Sequence, residues 1–129
     1  MQNAKRPLVS IVTPSFNQAA FLPGTLESVL SQDYEHLELI VMDGGSTDGS
    51  VAILEAIHDP RLTWVSEPDR GQSHALNKGM ARARGDILTY LNSDDLLTPH
   101  TVTFIVDYFE AHPEADLVTG DCQFISSED

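Results

Sequence analysis

The chain has 129 residues, 41% hydrophobic and 21% charged, a balance that suits one soluble domain and excludes wholesale disorder. Twenty Asp and Glu against seven Lys and Arg give a formal charge of −13, which excludes the basic surface that nucleic-acid binding requires. Cys122 is the single cysteine, so no intrachain disulfide can form, and no apolar run approaches the roughly 20 residues of a membrane-spanning helix.

Strand-length apolar runs alternate with helix-period segments along the chain. "LVSIVT" (8–13) is β-rich and ends at Pro14, and it reads as a first strand, not as a signal peptide. "AAFLPGTLESVLSQ" (19–32) sets Phe21, Leu22, Leu26, Val29 and Leu30 on one helical face, with Pro23 tolerable only in a first turn. "LELIVM" (37–42) is the second strand. A helix carrying Val51, Leu54 and Ile57 follows, with Ser46, Thr47 or Asp48 able to cap it. "LTWV" (62–65) is a short third strand with Trp64 in the core. The segment 71–84 reads as a helix that stops near Gly85. "DILTYL" (86–91) is the fourth strand, 99–112 a helix with Pro99 in its first turn, and "ADLVTG" (115–120) a fifth strand. The pattern predicts a mostly parallel α/β sheet, with strands apolar enough to be covered on both faces.

In open parallel sheets, ligands bind beyond the carboxyl ends of the strands. The loops there are "TPSFNQ", "DGGSTDGS", "SEPDRGQS" and "NSDD", all rich in Asp, Asn, Ser and Gly. None carries GxGxxG or GxxxxGK[ST], so neither a Rossmann dinucleotide site nor a P-loop is expected. Asp43, Ser15 and Asn17 have two readings, as braces of their loops or as ligand contacts. The adjacent Asp94 and Asp95 can likewise start a turn or hold a divalent cation. A chain this acidic needs backbone N–H groups, a few cations or a metal to hold an anionic ligand. Arg70 and Lys78 could face an anion but read first as solvated cations, and His74 as a solvated or packed side chain.

In this order the segments "VSIVTPSFNQAAFLPGTLESVLSQDYEHLELIVMDGGSTDGS" and "DRGQSHALNKGMARARGDILTYLNSDDLLTP" resemble the inverting family 2 glycosyltransferases of GT-A fold, over residue 8 to about 120. The resemblance implies that residues 1–129 are the nucleotide-sugar-binding part of such an enzyme. Pro14 and Ser15 would pass under the nucleoside, and Asp43 would contact the base, matching the first acid of the family's "DDGS" motif. Asn17, Gly71, Asn92 and Ser93 join them as donor-binding candidates. Asp94, with Asp95, would hold Mg²⁺ or Mn²⁺ against the diphosphate. Gly44 stands where the family usually has a second Asp, and Asn92 where its DxD motif begins.

The implied reaction is transfer of a sugar from a nucleoside-diphosphate sugar, UDP-linked by preference, to a glycan or lipid-linked acceptor. The family's catalytic base lies in a later segment. After the fifth predicted strand only Asp121, Glu128 and Asp129 are acidic, so a donor-binding portion without its acceptor-binding part is expected, with apolar surface that favours self-association. The resemblance places it in the cytoplasm or at the inner membrane face. Two alternatives remain at this level. An inactive binding module of the same fold accommodates the Gly44 and Asn92 departures. A sugar nucleotidyltransferase would need a Gly-rich, basic loop after the first strand, which "TPSFNQ" lacks.

Overall fold

The computed structural model describes residues 6–126, so Glu128 and Asp129 lie outside the described residues. Strands β1 (Val9–Ser15), β2 (Leu37–Asp43), β3 (Leu62–Ser66) and β4 (Ile87–Tyr90) alternate with helices α1 (Leu22–Leu30), α2 (Ser50–Glu55), α3 (Gln72–Arg82) and α4 (Thr101–Ala111). The strands pair in parallel in the order β3-β2-β1-β4.

The period-2 alternation of side chains splits the core between the two faces of the sheet. Val9, Ile11, Leu37, Leu39 and Val41 pack with Leu22, Leu26 and Val29 of α1, Leu54 of α2, and Val102 and Val106 of α4. The opposite face carries Val12, Ile40 and Met42 against Ala75 of α3. Gly79 lets α3 lie close to the sheet, since a Cβ there would fall 2.3 Å from Val12 Cγ1. At the far end of β2, buried Glu38 accepts hydrogen bonds from Ser10 Oγ at 2.6 Å and the Arg84 N–H at 2.7 Å.

Four features differ from the sequence expectations. The fifth strand is absent from the described residues: 115–120 pairs with nothing, and Leu117 is 80% exposed. Apolarity makes a segment competent for a sheet, but a strand also needs a neighbour to complete its ladder. Coverage on both faces holds for β1 and β2, whose residues are all buried, but not for edge strand β4, where Leu88 and Tyr90 are each 53% exposed. Helix α2 starts only after Gly49, whose φ of 99° breaks the backbone ahead of it, so Asp48 binds Ser50 N and Oγ from just outside. Pro99 precedes α4 and does not sit in its first turn, because His100 (φ 66°) intervenes in a left-handed conformation. Trp64 is partly buried against the core.

Candidate functional site

The register brings the ends of the central strands level, with Ser15 opposite Asp43 and Asp43 opposite Ser66. Their loops therefore leave the sheet side by side. Beyond them lies a cavity of about 500 Å³ lined by six residues of the expected set: Pro14, Ser15, Gly71, Asn92, Ser93 and Asp94. A larger groove of about 690 Å³ runs along β4 and α4, away from these loops, and is walled mainly by apolar side chains. Convergent polar groups at the strand ends make the smaller cavity the candidate site.

Asp43 does not line that cavity. It is 1% exposed, and its oxygens accept four hydrogen bonds: from Gly45 N at 3.1 Å, Ser46 N at 2.8 Å, Ser46 Oγ at 2.6 Å and Ser66 Oγ at 2.8 Å. Asn17, at φ 51°, continues this bracing. Its N–H donates to Ser46 Oγ at 2.8 Å, and its Oδ1 accepts from Thr47 N at 2.9 Å. Ala19 N adds a bond to Asp48 Oδ2 at 2.9 Å, so the loops after β1 and β2 are sewn together. Ser15 is different. It is 5% exposed, lines the cavity, and its hydroxyl oxygen has no hydrogen-bond partner among the described residues.

Asp69 and Gln72 are the polar cavity-lining side chains of the third loop that the sequence reading did not single out. Asp69 Oδ1 accepts from Gly71 N at 2.9 Å, and a Cβ on Gly44 would come to 3.0 Å from Asp69 Oδ2. Gly44 thus leaves the room that Asp69 fills, which accounts physically for the missing second acid of "DGGS". Gly71, at φ 115°, turns the chain into α3, whose first residues face the cavity. The unpaired N–H groups and positive dipole end of a helix start favour an anion there. Only the "DRG" spacing ahead of a helix pointed to this arrangement.

The loop after β4 is held from behind by α1 and the turn that follows it. Thr25 Oγ1 donates to the Asp95 carbonyl at 2.7 Å, Leu97 N donates to Ser28 Oγ at 3.1 Å, and Gln32 Nε2 donates to the Thr98 carbonyl at 2.9 Å. Ser93 is buried under this loop, and Asp94 and Asp95 are exposed. Asp94 is on the cavity wall and Asp95 is not; the Asp95 N–H closes a turn on the Asn92 carbonyl at 3.1 Å. Of the remaining candidates, Lys78 pairs with Glu67 at 2.8 Å, and His74 Nδ1 accepts from Arg70 N at 2.9 Å. Arg70, Lys78, His74 and Asp121 do not line the cavity. The described residues contain no group of three or more His, Cys, Asp or Glu side chains disposed around a metal position.

The parallel sheet with helices on both faces and a polar cavity at its strand ends superposes on solved glycosyltransferases of GT-A, nucleotide-diphospho-sugar transferase fold, and shares that fold. The Glycosyl transferase family 2 profile matches residues 10–129, and the chain belongs to that family. It is 46% identical over 90 residues to an uncharacterized glycosyltransferase of Mycobacterium tuberculosis, covering 69% of this chain and 34% of that protein. It is 41% identical over 93 residues to the putative teichuronic acid biosynthesis glycosyltransferase TuaG of Bacillus subtilis, covering 70% and 37%. The chain therefore spans about a third of the length of such relatives. Among solved structures, the mannosyltransferase PcManGT from Pyrobaculum calidifontis, in complex with GDP-Man and Mn²⁺, superposes with TM-score 0.69 at 33% identity, over 77% of this chain and 31% of that one. S. aureus TarS 1–349 superposes with TM-score 0.73 at 22% identity, over 81% and 32%, a likeness of fold.

Proposed function

We propose that the strand-end cavity binds a nucleoside-diphosphate sugar as the donor half of an inverting glycosyltransferase. One observation carries the reading: Pro14, Ser15, Gly71, Asn92, Ser93 and Asp94, distant in sequence, share one cavity onto which the start of α3 opens. The helix start and the Ser15 hydroxyl supply donors for the diphosphate and ribose, which answers how a chain of charge −13 holds an anion. Asp43 serves the base indirectly, by stiffening the loop beneath it. The carboxylate presented to the base is Asp69. With Oδ1 occupied by Gly71 N–H, its Oδ2 suits a single imide N–H, as in uracil or thymine, better than the paired donors of guanine.

Asp94 is an exposed, hard oxygen donor on the cavity wall, and it fits a Mg²⁺ or Mn²⁺ ion that takes one or two protein carboxylates and completes its shell with phosphate oxygens and water. Bound there, the ion would neutralise charge on the leaving diphosphate. The PcManGT complex with GDP-Man and Mn²⁺ supports that assignment. Among the described residues no helix is long and apolar enough to cross a membrane. Work on a cytoplasmic donor, free or peripheral to the inner membrane face, belongs to the same proposal, with a glycan or lipid-linked acceptor.

Calorimetric titration with UDP, dTDP and GDP, with and without Mn²⁺, tests this reading. UDP and dTDP are expected to bind more tightly than GDP, and Mn²⁺ to tighten each. Absence of heat with every nucleotide would refute it.

A further inference from the structure

The first position of the acidic motif after β4 is an amide in this chain, and that amide is not idle. Gln72 opens α3, Asn92 follows β4, and Gln72 Nε2 donates to Asn92 Oδ1 at 2.6 Å. Both side chains line the strand-end cavity. A primary amide has one carbonyl acceptor and one NH₂ with two donors. Gln72 takes up the Asn92 carbonyl, while Asn92 Nδ2 makes no hydrogen bond within the described residues. Asn92 is only half-buried, so its donors are open to a ligand. Asp69 and Asp94 on the same cavity wall favour this orientation, because side-chain dipoles turn their positive end toward negative charge.

We propose that Gln72 is a positioning residue that holds Asn92 as a hydrogen-bond donor to the diphosphate oxygens of the nucleotide. The proposal rests on the nucleotide-sugar reading above. An aspartate at position 92 would add charge and could only accept hydrogen bonds or hold a cation, so it could not donate to a phosphate oxygen. The fastened amide reaches the phosphate oxygens directly, so part of the nucleotide affinity is independent of metal.

The test is calorimetric titration of UDP into the wild-type chain and into Gln72→Glu, Gln72→Leu and Ser73→Glu, each in EDTA and in Mn²⁺. A glutamate at 72 can only accept, so it draws Asn92 Nδ2 toward itself and turns Oδ1 to the cavity. Ser73, exposed and off the cavity wall, takes the same added charge one residue along without touching Asn92. Wild type is expected to bind UDP in EDTA. Gln72→Glu should lose about ten- to a hundredfold there, the worth of one hydrogen bond to a charged group, and recover most of it in Mn²⁺. Gln72→Leu frees the amide and should lose about three- to tenfold in both buffers, while Ser73→Glu, which adds charge at the helix start without touching Asn92, should lose clearly less in EDTA than Gln72→Glu.

Gln72 is exposed, so its variants should melt with wild type, and a matching thermal transition confirms that binding alone has changed. Wild type that binds UDP only with Mn²⁺, Gln72 variants with unaltered Kd, or Gln72→Glu no weaker than Ser73→Glu would each overturn the positioning role and leave the nucleotide site standing. No UDP binding by wild type in either buffer would overturn both.

Discussion

The acidic ends of β2 and β4 look alike in sequence and are built for opposite purposes. Asp43 closes β2 inside the protein, 1% exposed, with four hydrogen bonds on its two oxygens. Asp94 stands in the loop after β4, exposed on the cavity wall, and its side chain takes part in no hydrogen bond among the described residues. A buried carboxylate that accepts hydrogen bonds from several loops stabilises the fold. One left open at a cavity is available to a ligand.

That contrast breaks most visibly at Asp43. In Asp43→Ala, the N–H groups of Gly45 and Ser46 and the hydroxyls of Ser46 and Ser66 lose their acceptor in a buried setting. Stability should fall by about 3 kcal/mol, measured by urea unfolding, and nucleotide binding should weaken with it as the sewn loops loosen. A variant within 1 kcal/mol of wild type would remove the bracing role.

Glu38, at the opposite end of β2, is a second internal acid and sharpens the contrast through pH. Burial pushes its carboxyl up, but hydrogen bonds from Arg84 N–H, Ser10 Oγ and the Arg84 guanidinium outweigh that and hold it below the ordinary value. A depressed carboxyl stabilises the folded chain above the ordinary carboxylate range, and the contribution fades as pH falls through the depressed value. Glu38→Gln should therefore be less stable than wild type at pH 7, with the gap closing below about pH 4 in thermal melts across pH. A gap that persists in acid would assign the effect to packing.

These acids show what was legible in the sequence. Strand-length apolar runs and helical stripes marked out the four strands and four helices, because burial on both faces leaves such continuous runs in β1 and β2. The cavity's location followed from the strand-end rule, and six of its walls were named through the family resemblance. The state of each side chain was not legible. Whether Asp43 is saturated depends on Ser66, brought alongside only by the β2–β3 register. Asp69 is read through the space at Gly44, and Asn92 through Gln72, contacts made across the fold by residues 25 and 20 positions apart. The segment 115–120 has strand composition, but its partner is not among the described residues.

The loop that carries Asp94 owes its shape to α1, which offers an intermediate test. Thr25→Val keeps the buried volume and removes the donor to the Asp95 carbonyl, held at 2.7 Å. The expected loss is about 1 kcal/mol in unfolding, with faster amide exchange across 93–98. Unchanged exchange there would mean that Ser28 and Gln32 suffice to hold the loop.

Asp94→Ala should have the smallest effect on stability and so complete the contrast. Its side chain is exposed and unpartnered within the described residues, so unfolding should stay within about 0.5 kcal/mol of wild type, or rise slightly as negative charge is relieved. Binding should respond in the other direction. The Mn²⁺-dependent part of UDP affinity should disappear, and the part measured in EDTA should hold or improve, because one repulsive charge has left a cavity that receives a diphosphate. Asp43→Ala would weaken binding in both buffers together with the fold. If Asp94→Ala instead destabilised the chain as Asp43→Ala does, the two acids would share one structural purpose and the metal assignment at the end of β4 would fall.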